Sequence, residues 1–348
     1  MIVYMKRGAT EEQIKAVLRR IEEYGNSYNI DKEGEHVLIG IRGDTRAVSE
    51  GVFEQLPGVA RVIRVSPTWK EVSREFKPKD TSVDIGNGVK IGGGHFAVIA
   101  GPCAVESYEQ LIKTAEVVKA AGGHALRGGA FKPRTSPYAF QGLGEEGLKY
   151  LKMAKESTGL PIVTEIIAIN DIELFLKYDV DVFQVGARNC QNYALLKELA
   201  KTGKPILLKR GMATTIEEYL NAAEYLLSHG NSNVILCERG IRTFETASRN
   251  TTDVNAIPII KQLSHLPIIG DPSHSTGKRN LVASIAYALA GAGCDGLIIE
   301  AHYNPLLAKT DADQQVDGEE LKRIIKKSIA IRDIVEEDVS KLYNGGTK

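Results

Sequence analysis

Between residues 96 and 336 the chain repeats one unit eight times: a short, almost wholly apolar run, then a longer amphipathic stretch. The apolar runs are Phe96–Ala100, Ala125–Arg127, Pro161–Glu165, Val182–Val185, Pro205–Lys209, Val234–Cys237, Pro267–Ile269 and Gly296–Glu300. The stretches after them, with helical spacing of apolar residues, are Tyr108–Ala121, Glu145–Ser157, Ile172–Tyr178, Tyr193–Ala200, Ile216–Ser228, Asn255–Gln262, Leu281–Ala290 and Glu319–Glu336. Strands apolar on both faces and separated by helices belong to parallel sheets covered on both sides. Eight such units over roughly 250 residues are the arithmetic of a (β/α)₈ barrel. A doubly wound open sheet would carry a glycine-rich dinucleotide loop after its first strand, and Gly101-Pro-Cys-Ala-Val-Glu-Ser107 is not one.

The first 66 residues follow a different plan. Ile2–Met5 reads as a strand, and Thr10-Glu-Glu-Gln13 as a capping box opening a helix that carries Ile14, Val17, Leu18 and Ile21 on one face. Strands at Ser27–Ile30 and His36–Ile41, a helix over Ala47–Gln55 and a strand at Val59–Val65 complete β-α-β-β-α-β, the ferredoxin-like order. The expected organisation is a small module over 1–66, a proline- and charge-bearing linker over 67–82, and a barrel over 83–348. The barrel is preceded by a hairpin turning at Gly86-Asn-Gly88.

Composition narrows the function. The 44 Lys and Arg balance 44 Asp and Glu, which argues against nucleic-acid and anionic-membrane partners. No apolar run reaches the length of a membrane span, the start MIVYMKRGATEEQ is no signal peptide, and Cys103, Cys190, Cys237 and Cys294 form no CxxC pair. A reducing, cytoplasmic setting is the expectation.

Barrels gather their chemistry just past the strand C-termini. Those positions hold Cys103; Arg127 with Lys132 and Arg134; Glu165; Arg188; Lys209; Glu238 with Arg239; Asp271 with His274; and Glu300 with His302. Two sub-sites separate by chemistry. Arg127, Lys132, Arg134, Arg188, Lys209 and Arg239 would repel one another in one mouth unless anions sit among them. Cys103, His274, Glu300 and Asp311 are metal-ligand types, a mixed donor set suited to a divalent transition metal with open positions. Asp313 is an alternative to Asp311, and the role of His302 stays open.

Long motifs then make a resemblance visible: GPCAVES at 101–107, LRGGAFKPRTSPYAFQGLG at 126–144, QVGARN at 184–189, LLKRGM at 207–212, CERGIRTFE at 237–245, DPSHSTGKR at 271–279 and IIEAH at 298–302. The chain resembles the 3-deoxy-D-arabino-heptulosonate 7-phosphate (DAHP) synthases of type I beta, with the ferredoxin-like regulatory extension of some members. The resemblance implies a metal-dependent condensation of phosphoenolpyruvate with erythrose 4-phosphate, releasing phosphate, as the first step of the shikimate pathway of aromatic amino acid biosynthesis. It implies one divalent cation (Mn, Fe, Co or Zn type) on Cys103, His274, Glu300 and Asp311. Arg127, Lys132, Arg188, Lys209 and Arg239 would hold phosphoenolpyruvate, with Glu238 beside them, and Arg134 and Thr135 the sugar phosphate. Glu165 would orient a water, and Lys132 is the candidate proton donor. Lys132-Pro-Arg-Thr-Ser136 stands where the octulosonate-forming sister enzymes typically read KANRS, which favours the four-carbon sugar. Cys103 stands where metal-independent sisters carry Asn, which predicts metal dependence. Residues 1–66 are expected to confer feedback inhibition by Tyr or Phe, closing over the barrel mouth, in a homotetramer. A non-catalytic, anion-sensing barrel is the competing class.

Overall fold

The computed structural model describes residues 1–348 except 34–35, 44, 46–47, 64–67, 134–135, 137 and 345–348, together with the side chains of 33 and 337–344. It divides into two compact units, Met1–Lys79 with Leu263–His265, and Asp80–Gln262 with Leu266–Lys348.

In the first unit β1 (Ile2–Met5), α1 (Glu11–Glu23), β2 (Ser27–Glu33), β3 (His36–Arg42), α2 (Gly51–Glu54) and β4 (Val59–Ile63) form an antiparallel sheet in the order β2-β3-β1-β4. The Thr10 capping box is formed in full, and Ile14, Val17 and Ile21 of α1 are buried with Val3, Ile39, Ile41 and Phe53. The second helix is a single turn, shorter than its apolar pattern suggests, and no side chain caps it. Within the expected linker, residues up to Lys79 belong to this unit and pack against it. Phe76 packs with Ile2, the Glu71 carboxylate takes the Arg42 guanidinium and Asn29, and the Tyr4 hydroxyl donates to the Glu75 carbonyl. Gly40 makes room here, since a Cβ there would run into the Phe76 ring.

The second unit is the barrel. Its eight strands are β7 (Ala97–Gly101), β8 (Ala125–Arg127), β9 (Ile162–Ile166), β10 (Val182–Val185), β11 (Ile206–Lys209), β12 (Val234–Glu238), β13 (Ile268–Gly270) and β14 (Gly296–Glu300), all parallel and closed by β14 against β7. Around them run α3 (Tyr108–Ala120), α4 (Glu145–Thr158), α5 (Ile172–Lys177), α6 (Tyr193–Ala200), α7 (Ile216–Ser228), α8 (Ala256–Leu263), α9 (Pro272–Thr276), α10 (Arg279–Gly291) and α11 (Gly318–Asn344). The hairpin β5 (Val83–Asp84) and β6 (Lys90–Ile91) precedes the barrel. Its Val83, Ile85 and Ile91 share one cluster with the barrel-lining Ala97, Ile99, Ala125, Val163, Val182, Leu207, Ile235, Cys237, Ile269 and Ile298.

That cluster fixes the parity of every strand. Side chains alternate across a strand, so a residue two positions beyond an inward-facing one also faces inward. Counting from Ala125, Val163, Val182, Leu207, Cys237, Ile269 and Ile298, the next inward positions are Arg127, Glu165, Gln184, Lys209, Arg239, Asp271 and Glu300. The apolar filling thus gives way, at one height, to a layer of charged and polar groups.

Candidate active site

This polar layer floors a cavity of about 380 Å³. Arg127, Lys132, Arg188, Lys209, Arg239, Arg242 and Arg249 line it, with Glu165, Gln184, Asn250, His274 and Asp311. Arg134 and Thr135 lie outside the described residues.

Backbone detail keeps the layer in place. Gly101 ends β7 with φ +150°, and a Cβ there would strike the Arg127 carbonyl of the neighbouring strand, so only glycine allows that approach. Gly186 leaves room for the Glu165 carboxylate, which a Cβ there would displace. After β13, Asp271 caps α9 by accepting from the His274 amide at 2.8 Å, with Pro272 at the first helical position. The cap swings the His274 ring back towards the same aspartate, Nδ1 lying 2.7 Å from its Oδ2.

On the side of β7 and β14 the side chains cluster differently. One donor atom each of Cys103, Glu300 and Asp311 lies within 4.8 Å of the other two. Cys103 Sγ is 3.1 Å from Asp311 Oδ2, and His274 Nε2 is 3.3 Å from Glu300 Oε1. Asp313 is exposed, so the choice between the two aspartates falls to Asp311, whose left-handed backbone (φ +48°) turns it into the cluster. Glu300 is fully buried, and its Oε1 has no hydrogen-bond partner although Arg127 Nη1 stands 3.0 Å away, too poorly aligned to donate. A buried carboxylate oxygen that accepts no hydrogen bond among the described residues, set beside a thiol, a second carboxylate and an imidazole nitrogen, fits a divalent cation.

Protonation agrees with that fit. Burial pushes the Cys103 thiol up to about 12, helped by the Glu300 charge, so without a metal it stays neutral and donates to Asp311. Burial together with the Lys209 cation keeps His274 below its usual range despite the Asp271 charge, leaving a neutral ring with Nδ1–H towards Asp271 and Nε2 as a lone pair. Burial alone would raise the Glu300 carboxyl, but the His274 imidazole beside it and the charges of Arg127 and Lys132 hold it below its ordinary value. Burial opposes ionisation of Asp271 too, yet His274 and Lys209 hold it well below the usual range.

The cations differ in how they are matched. Lys209 pairs with Asp271, Arg127 faces Glu300, and Arg249 meets Asp311 at 3.4 Å. Lys132 Nζ donates to the Cys103 carbonyl at 3.0 Å and to its sulfur at 3.1 Å. Arg188 and Arg242 are exposed. Arg239 is the anomaly: only 5% exposed, it makes no ion pair among the described residues, its Nη1 donates merely to the Gly240 carbonyl, and burial lowers its pKa. A buried guanidinium with no ion pair among the described residues suits an anionic ligand.

Glu238, expected among the substrate-binding groups, is engaged elsewhere. Parity turns it outward from Cys237 and Arg239; it is buried against Arg210 (2.9 Å), and it accepts from the Gly240 amide at 2.6 Å. Arg210 also holds Asp253 at 2.7 Å, tying down the long loop between β12 and α8. His302 does not line the cavity; it stacks on Tyr303 and accepts from the Asn304 amide. Sequence reasoning missed Gln184, Arg242 and Arg249. Gln184 was visible as the one polar residue of β10, and the two arginines sit in a loop long enough to suggest function.

Comparison with known proteins is decisive at this point. The DAHP synthetase I family matches residues 80–337, and the DAHP synthase ferredoxin-like domain matches residues 1–67. The chain belongs to the DAHP synthetase I family. Within it, the chain is 49% identical over 333 residues to the phospho-2-dehydro-3-deoxyheptonate aldolase of Thermotoga maritima, covering 96% of this chain and 98% of that protein. A crystal structure of the Thermotoga maritima aldolase, also titled DAHP synthase, aligns with a TM-score of 0.76 at 48% identity, over 96% of this chain and 97% of that one. A more distant relative is the 2-dehydro-3-deoxyphosphooctonate aldolase of Geotalea uraniireducens, 31% identical over 272 residues, which are 73% of this chain and 98% of that protein. Membership in the DAHP synthase family makes this chain an enzyme, a 3-deoxy-7-phosphoheptulonate synthase of the transferase class. Among the described residues no helix is long and apolar enough to cross a membrane.

Proposed function

We propose that this family member condenses phosphoenolpyruvate with erythrose 4-phosphate to give DAHP and inorganic phosphate, in aromatic amino acid biosynthesis in the cytoplasm. The observation that carries the reading is the unmatched Arg239 guanidinium in a cavity with six further cations, beside the Cys103–Glu300–Asp311 cluster. Two polyanions fit that field, and a single small anion would leave much of it unused.

Cys103, His274, Glu300 and Asp311 would hold one divalent cation. When bound, that cation supplies Lewis-acid polarisation of the sugar aldehyde. The rest is the work of the chain's own side chains. Arg127, Arg188, Lys209 and Arg239, with Lys132, grip the phosphate and carboxylate of phosphoenolpyruvate, and Arg134 and Thr135 take the sugar phosphate. Holding both anions removes the entropy of bringing them together. C3 of phosphoenolpyruvate attacks the aldehyde carbon, water adds at C2, and the C2–O bond to phosphate breaks. Glu165 lines the cavity with Gln184 and would orient that water. Lys132 Nζ, beside Cys103, would deliver the proton to the new hydroxyl. His274 stays oriented by Asp271.

Residues 1–66 would confer feedback inhibition by Tyr or Phe, and the assembly would be a homotetramer. Deleting 1–66 should leave an active, insensitive enzyme.

The test mixes phosphoenolpyruvate with four- and five-carbon aldose phosphates, with and without chelator, and follows phosphate release. Release with the four-carbon sugar, lost on chelation and restored by divalent metal, is expected. Preference for the five-carbon sugar would favour octulosonate synthesis, and chelator-resistant turnover would overturn the metal reading.

A further inference from the structure

The Cys103–Glu300–Asp311 cluster is assembled from three separate strand ends and loops, and one five-residue stretch touches all of it. After Asp311 the chain makes a single 3₁₀ turn, Ala312–Gln314, and then runs beside β14, Val316 N donating to the Glu300 carbonyl at 2.9 Å. The two glutamines between these points are buried, Gln314 at 2% and Gln315 at 0% exposure.

Each glutamine spends both ends of its amide on the cluster's framework. Gln314 Nε2 donates to Glu300 Oε2 at 2.6 Å, and its Oε1 accepts from Arg249 Nη1 at 2.9 Å. Gln315 Oε1 accepts from the Cys103 amide at 3.3 Å, and its Nε2 donates to the Thr310 carbonyl at 2.8 Å. These orientations are forced. A guanidinium and a backbone amide can only donate, so each must meet an amide oxygen; a flip would set donor against donor and acceptor against acceptor.

We propose that Gln314 and Gln315 are positioning residues for the metal, setting its affinity without touching it; the proposal rests on the metal reading above. Gln314 occupies one Glu300 oxygen and leaves the other, Oε1, which accepts no hydrogen bond among the described residues, facing Cys103, Asp311 and His274. It does so with a neutral donor. A Lys or Arg in its place would put a positive charge against the incoming cation, and a carboxylate would repel Glu300. Gln315 fixes the Cys103 backbone, and hence the origin of the thiol, to the strand of chain that carries Asp311. Arg249, which reaches both Gln314 and Asp311 and lines the cavity, links this bracing to the substrate side.

The test is metal affinity of the full-length, chelator-stripped chain, read by titrating Co²⁺ or Zn²⁺ against a competing chromophoric chelator. Gln314→Met and Gln315→Met should each weaken binding about 10- to 100-fold, the usual cost of losing an outer-shell partner. Saturated Co²⁺ protein should keep its thiolate absorption band, since Cys103 still binds. Gln314→Asn, which keeps an amide but retracts it by one methylene, carries the same expectation should the Met variant not fold. Native-like affinity in the folded glutamine variants, with binding lost in Cys103→Ser, would overturn this proposal alone. A native chain that takes up no metal would overturn the metal reading and this proposal together.

Discussion

Arg239→Met tests the anion site from two sides at once. The native guanidinium is buried without an ion pair among the described residues, so the ligand-free enzyme carries the cost of a desolvated charge. Methionine keeps much of the apolar stem and removes that charge. Relief should stabilise the ligand-free chain by about 1 kcal/mol, the scale typical when a functional strain is removed. For a chain of this size that is a rise of roughly 1–2 °C in Tm. Binding should move the other way. A guanidinium making two charge-assisted hydrogen bonds to an oxyanion contributes about 3 kcal/mol, so phosphoenolpyruvate should bind about 100-fold more weakly. Differential scanning calorimetry of the ligand-free proteins, with calorimetric titration of phosphoenolpyruvate in the absence of the sugar, reads both quantities. A variant that melts at or below the native temperature refutes the strain argument. Unchanged affinity refutes the anion role.

Three further outcomes follow from the same geometry. The Cys103 thiol is raised to about 12, while His274, Glu300 and Asp311 are all held low, so above neutral pH only the thiol has a proton to lose when metal binds. Metal uptake should therefore release one proton, and apparent affinity should climb about tenfold per pH unit between roughly pH 7 and 9; a flat profile would show a thiolate already formed. Glu238→Gln leaves the buried Arg210 with Asp253 as its remaining carboxylate, so it should cost about 3 kcal/mol in denaturant unfolding while phosphoenolpyruvate affinity changes little; a selective loss of affinity would return Glu238 to the substrate. Gly101→Ala forces a Cβ onto the Arg127 carbonyl at a backbone angle that disfavours side chains, and should destabilise by about 2–4 kcal/mol; an unchanged urea midpoint would contradict the close approach.

The barrel was legible because its strands are apolar on both faces and sharply bounded. The same property hid the orientation of their last residues. In Val234-Ile-Leu-Cys-Glu-Arg239 no alternation says whether Glu238 or Arg239 faces inward, and only the interior cluster through Ile235 and Cys237 decides it. Asp311 and Asp313 are equivalent in sequence; a left-handed turn, invisible in composition, separates them. The linker reading of 67–82 weighed prolines and charges; Trp69, Val72 and Phe76 within it, at three- and four-residue spacing, are buried. Gln314 and Gln315 carry no sequence signal at all, since a buried amide is identified by its partners.

The hairpin under the barrel has a bearing on how such proteins are put together. Val83, Ile85 and Ile91 fill the interior from the end opposite the cavity, and they come from chain that precedes the first barrel strand. A recombination joint placed before Val83 delivers a barrel with its floor already installed, ready to accept an unrelated module upstream. A joint placed after Ile91 would leave Ala97, Ile99 and their neighbours open to water. Gene fusions that exchange the upstream module should therefore have their seams in the stretch before the hairpin, so that an appendage can be traded while the catalytic body keeps its seal.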